Sequence, residues 1–210
     1  LKNEPISSLL HLIGALLSIA ALVILIVYAS LNGTVWHVVS FSVFGAALVL
    51  LYTSSTLFHF FNRDSEAKKV FLRIDHSMIF VLIAATYTPI CLTVLRGAWG
   101  WSLFGVVWMI ASVGITLKSC GIGFDGWHSV VLYILMGWII IIALYPLLKV
   151  IPLTGFLWLF AGGIFYTVGA LFFSMDVLFP RKSYWSFGFH EIFHLFVIAG
   201  SFSHFWFMMN

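Results

Sequence analysis

The chain has 210 residues, 62% of them hydrophobic and only 8% charged, with a net charge of +3 and a mean hydropathy of +1.12. A soluble domain is about half apolar and roughly a quarter charged, so this composition excludes a water-soluble enzyme, a disordered chain, a nucleic-acid binder and a secreted disulfide scaffold. What remains is a polytopic membrane protein, whose length suits about seven spans of ~20 residues plus short loops.

Seven apolar runs follow one another along the chain. The first, about Ile6 to Ala29, lacks a basic n-region and a small-residue cleavage site, so it reads as a retained span. It breaks at Leu31-Asn32-Gly33. The second runs from about Val35 to Phe61 and breaks at Asn62-Arg63-Asp64-Ser65. The third starts near Phe71 and ends near Leu95, and the fourth covers about Trp99 to Leu117. The fifth covers about Trp127 to Leu148, the sixth about Leu153 to Leu178, and the seventh about Tyr184 to Met208. The periodicity is helical and the runs are too long for barrel strands. Lipid-exposed backbone must close its own hydrogen bonds, so the fold class expected is all-α with seven transmembrane helices. Pro89 and Pro146 are expected to kink spans three and five, and Gly162, Gly163 and Gly169 to permit close helix approach. Trp36, Trp99, Trp101, Trp127 and Trp185 fall near predicted interfaces. No composition shift or repeat divides the chain, which is read as one domain, residues 1–210. The two cysteines, Cys91 and Cys120, carry no message about redox compartment.

Orientation follows from the cations. Lys2, Arg63, Lys68, Lys69, Arg73, Lys118, Arg181 and Lys182 fall on one side, eight in all, against Arg96 and Lys149 on the other. The positive-inside rule predicts a cytoplasmic N-terminus and, with seven spans, an external C-terminus. That is the reverse of a G-protein-coupled receptor.

Ionisable residues inside a bilayer are costly and by default mark function. His59 is expected one turn before the cytoplasmic end of span two, and Asp75 about one turn inside span three. His190 and His194 are expected one to three turns inside span seven. These residues lie in one layer on three helices. His190 and His194 are spaced i, i+4, so they share a helix face, about 6 Å apart along the axis; Ser55 and His59 share the same spacing. Three histidines and a water make a tetrahedral zinc site with an open position, the catalytic kind. The alternative is that the histidines only hydrogen-bond between helices. That reading suits His37 and His204, near the opposite ends of their spans, and an interfacial His128. His76 follows Asp75 and points about 100° away from it. His11, about one turn inside span one, is a candidate supporting donor, and Glu4 could cap the first helix or bind a loop lysine. His190-Glu191-Ile192-Phe193-His194 spells H-E-x-x-H, the zincin pattern in which the Glu is the base. Gly200 stands where a metzincin needs its third histidine, and little chain follows to donate another ligand. With His59 as the third ligand, Glu191 need not be the base.

At these residues the chain resembles the hemolysin III family, the bacterial branch of the progestin and adipoQ receptor superfamily. The resemblance covers nearly the whole chain. It is carried by Glu4-Pro5 with Ser8 and His11 before Gly14, by Ser55-x-x-x-His59, and by Leu72-Arg73-x-Asp75-His76. Ala85-Thr86-Tyr87-Thr88-Pro89 and His190-x-x-x-His194 with His204 complete it. Ser7 stands near where relatives usually carry Asn, and the position of Glu191 is often glutamine in relatives, which argues against the zincin reading. The resemblance implies seven helices in the bacterial plasma membrane with a cytoplasmic N-terminus. It also implies one zinc per chain, held by His59, His190 and His194, with Asp75 near the zinc-bound water. The wider superfamily is grouped with alkaline ceramidases.

Three functions are weighed. The first is a zinc-dependent hydrolase of a lipid amide or ester, in which Asp75 accepts or orients the water proton and Ser55 places the substrate oxygen. His11 and Glu191 would support the site. The second is a receptor or regulator of membrane state, with zinc as a structural clamp on spans two, three and seven. The third, a pore-forming cytolysin, is disfavoured, because no segment could provide a soluble form and no regular polar stripe lines a pore. Membrane lipid is the partner expected. A cavity joining the site to the lipid phase is expected of the enzyme, and a closed site of the clamp.

Overall fold

The computed structural model of the protein describes residues 4–62, 64–121, 126–179 and 187–210. Seven helical stretches are long and apolar enough to cross a membrane. Among the described residues there is no strand, so the fold is all-α as expected. Lys2, Arg63, Arg181, Lys182 and Trp185, used above for orientation and interfaces, lie outside the described residues.

The first span is α1, Pro5–Asn32, opened by a proline at its first position, where the missing N–H costs nothing. The second is α2, Val35–Phe60. The third is α3, Glu66–Pro89, which starts five residues before the expected Phe71 because the Ser65 hydroxyl caps the Lys68 N–H at 3.2 Å. Asp75 is therefore about two and a half turns inside that helix, not one. Past Pro89 the helix widens into a π turn, Ile90–Val94. Gly97, at φ 137°, then turns the chain into α4, Ala98–Ser119, through a backbone that other residues rarely adopt.

Span five departs most from expectation. It consists of α5, Trp127–Gly137, a 3-10 turn over Ile139–Ala143, and α6, Leu144–Leu148. The interruption opens after Gly137 and runs to Ala143, just ahead of Pro146. The Tyr87 hydroxyl reaches in from α3, donating to the carbonyls of Met136 at 3.1 Å and Gly137 at 2.7 Å, and accepting from the Ile140 N–H at 3.0 Å. These are the backbone groups that the break would otherwise leave unpaired in an apolar medium. Span six is α7, Leu153–Leu178. Span seven is α8, Phe189–Met209, in which His190 stands in the first turn and His194 in the second; the expected start at Tyr184 lies outside the described residues.

α3 is the most enclosed helix and α7 the least. α1 packs on α2, α2 on α3, α3 on α5, α5 on α7, α7 on α8, and α8 back on α1, while α4 leans on α3 from outside. The six packed spans form a ring. Their interior is a cavity of about 370 Å³ to which α4 contributes no residue.

Candidate functional site

His59 ends α2 and His190 and His194 begin α8, and the closing of the ring brings these helix ends together. One ring nitrogen from each histidine lies within 4.8 Å of the other two. The ring centroids of the three are 4.6 to 4.9 Å apart. His59 and His194 are buried and His190 is partly so.

The outward nitrogens are braced. His59 Nδ1 donates to the Glu4 carboxylate, and His190 Nδ1 lies 3.3 Å from Asp176 Oδ2 on α7. A carboxylate at Nδ1 selects the tautomer whose Nε2 carries a lone pair. The two Nε2 atoms face each other at 3.2 Å, which is repulsive for two lone pairs unless a proton or a cation lies at hand. His194 Nδ1 is buried without a hydrogen-bond partner. Three imidazoles with converging nitrogens, two of them braced by carboxylates, fit a divalent metal of the nitrogen-preferring kind.

Glu4 is the more elaborate brace. Its backbone N–H donates to the His59 carbonyl at 3.1 Å, and its carboxylate also lies 3.4 Å from Lys68 Nζ. Burial alone would raise its pKa, but the His59 hydrogen bond and the charges of His59 and Lys68 outweigh burial and bring it down to about 2. The expected lysine contact is therefore present, while the expected side-chain cap on α1 is not. Glu191, 1% exposed, receives the Ser7 hydroxyl on one oxygen and the Gly188 N–H on the other at 2.9 Å. It caps its own helix and ties α1 to α8 through Ser7.

Between the trio and the cavity stand His11, Ser55 and Asp75, all of which line the cavity, as the three clustered histidines do not. The His11 ring stacks on His194 with centroids 3.5 Å apart, and neither His11 nitrogen has a hydrogen-bond partner. The Ser55 hydroxyl is the hydrogen-bonding neighbour of the Asp75 carboxylate, which also feels His190 electrostatically. From this layer the cavity runs along α3, α5, α7 and α8 to Leu147 and Phe156, with a mainly apolar wall. Ile141 and Phe160 belong to that wall and are 56% and 47% exposed.

The remaining histidines are elsewhere. His37 accepts from the Thr34 N–H at 3.1 Å at the start of α2, His128 stacks on Trp127, and His76 packs near Phe173. His204 is buried, and its Nδ1 has no hydrogen-bond partner. The sequence reasoning passed over Asp176. Its signal was available, as a lone carboxylate inside the otherwise apolar sixth run.

A family model described as "Haemolysin-III related" matches residues 1–205. A curated protein named "Hemolysin-3" from Bacillus cereus is 44% identical over 200 residues, 95% of this chain and 87% of its own length. A "Hemolysin-3 homolog" from Bacillus subtilis (strain 168) is 42% identical over 201 residues, 96% of this chain and 90% of its own.

Proposed function

The chain belongs to the Haemolysin-III related family, an integral membrane protein of the bacterial plasma membrane, and we propose that it is a zinc-dependent hydrolase of a lipid amide or ester. The observation that carries this reading is the position of Asp75 and Ser55. They stand where an apolar cavity of ligand size meets the histidine cluster. In the proposal the seven helices act as one domain, residues 1–210.

Zinc held by His59, His190 and His194 would acidify a water molecule and polarise the scissile carbonyl. The protein's own residues do the rest. Glu4 and Asp176 hold two imidazoles in the ligating tautomer. The Asp75 carboxylate takes the proton of the attacking water and returns it to the leaving amine or alkoxide as the carbonyl carbon–heteroatom bond breaks. The Ser55 hydroxyl fixes Asp75 and lies within reach of the substrate oxygen. The apolar wall holds the acyl chain and keeps bulk water out.

Purified Asp75→Asn should retain zinc but hydrolyse a ceramide-like amide about 10²-fold or more slowly than the unmodified protein. His194→Ala serves as the metal-depleted control. If no lipid amide or ester in a panel is turned over above that control, the hydrolase reading fails. If Asp75→Asn loses its zinc, Asp75 is a ligand and the site is closed.

A structural clamp is the second reading. It is favoured by one observation, that the three imidazoles lie behind the cavity wall. Cell lysis, which the relatives' names suggest for them, is not part of the proposal, because the cavity wall offers no polar stripe. The charge count supports a cytoplasmic histidine end. In intact cells, on a background without Cys91 and Cys120, an impermeant thiol reagent should modify Asn210→Cys and spare Ser65→Cys. The opposite pattern reverses the orientation.

A further inference from the structure

Most polar side chains along the cavity wall are already engaged. The Tyr87 hydroxyl serves the break in span five, Trp138 Nε1 donates to Thr167 Oγ1 at 2.9 Å, and the Tyr166 hydroxyl is bonded to Ser201 at 3.0 Å. The imidazoles without hydrogen bonds stand at opposite ends. His11 is beside the histidine cluster, and His204 is ten residues beyond His194 on α8. His204 is 4% exposed, lines the cavity, and stacks on Tyr166 with ring centroids 5.3 Å apart. Its Nδ1 is buried with no partner. Gly162 on α7 makes room for the ring, since a Cβ there would come within 2.6 Å of His204 Nε2.

A buried imidazole left without partners is unfavourable, and a ligand group that pairs with it recovers that cost. Either nitrogen of a neutral imidazole, donor or acceptor, can pair with a hydroxyl, which is itself able to give or to receive. Ten residues of helix rise about 15 Å, roughly the extended length of a twelve-carbon chain. We propose that His204 forms a polar subsite at the far end of the cavity for the hydroxyl of an acyl chain hydroxylated near its middle, whose carbonyl end lies by Asp75 and Ser55. The subsite rests on the lipid reading of the cavity but not on turnover.

Ricinoleic and oleic acids, which differ by one mid-chain hydroxyl, are the probes. Each is titrated against a fluorescent fatty acid bound to the full-length protein in detergent. Ricinoleic acid should bind about fivefold more tightly, the worth of one net hydrogen bond. His204→Phe, which keeps the ring volume, should abolish the difference by weakening ricinoleic acid alone. Gly162→Ala, which crowds the imidazole, should reduce it as well. Equal affinities in the unmodified protein, a preference that survives in His204→Phe, or no binding of either acid overturns the proposal. The comparison in the unmodified protein decides even if His204→Phe does not fold. A ricinoleic preference without hydrolysis of any lipid sinks the hydrolase and keeps the subsite. Hydrolysis with equal affinities does the reverse.

Discussion

The wall made by α1, α2 and α8 and the wall made by span five and α7 face each other across one cavity, and they handle polar groups in opposite ways. On the first wall the polar groups belong to side chains and are held by partners far away in the chain. Glu4 meets His59 and Ser7 meets Glu191. On the second wall the exposed polarity belongs to the backbone of a broken helix, and one phenol, Tyr87, covers three of its groups. Side-chain networks that cross three helices hold a geometry rigidly. A helix interrupted in mid-membrane and covered from one neighbour is a wall that gives way locally. A site that must fix three nitrogens and also admit a flexible chain needs one wall of each kind.

The contrast can be broken hardest at the histidine wall. His59→Ala, His190→Ala or His194→Ala should each remove most of the zinc found by elemental analysis of the purified protein, while His37→Ala and His204→Ala should not. Zinc that is insensitive to His59 would mean that this wall is not a metal site. Smaller effects are expected one shell out. Glu4→Gln and Asp176→Asn should each weaken zinc affinity by about 10- to 100-fold in a chelator competition, because the imidazoles lose the groups that orient them. Unchanged affinity in both would reduce the carboxylates to packing. The smallest effect belongs to the opposite wall. Tyr87→Phe should lower stability by about 1–3 kcal/mol, the cost of leaving buried backbone groups unpaired, read as reduced resistance to thermal unfolding in detergent, and should leave zinc content unchanged. A loss of zinc in Tyr87→Phe would show the two walls to be one cooperative unit.

The number of helices and the clustering of His59, His190 and His194 were readable from the chain, because both follow from local quantities. Run length against bilayer thickness sets the first, and depth with i, i+4 spacing sets the second. The bracing partners were not readable in the same way. Whether Asp176 meets His190 depends on α7 packing beside α8, and whether Glu4 meets His59 depends on where the chain preceding α1 crosses α2. Neither is written in the periodicity of any one span. Pro146 marks only the far edge of the break in span five, which opens after Gly137, where a hydroxyl from another helix takes up the freed groups, and ends at Ala143. The start of α3 moved because Ser65 caps it, and Asp75 moved deeper with it.

The Nε2 to Nε2 contact between His59 and His190 joins residues 131 positions apart in the chain. At about 5–20 residues per second, roughly 7 to 26 seconds of synthesis separate the two halves of the cluster. During that interval Glu4 and His59 are already inserted while α8 does not yet exist. A metal held by this cluster could load only late in biogenesis, after insertion of the last helix, and a chain arrested before Phe189 would carry one histidine of the cluster and its brace but no cluster.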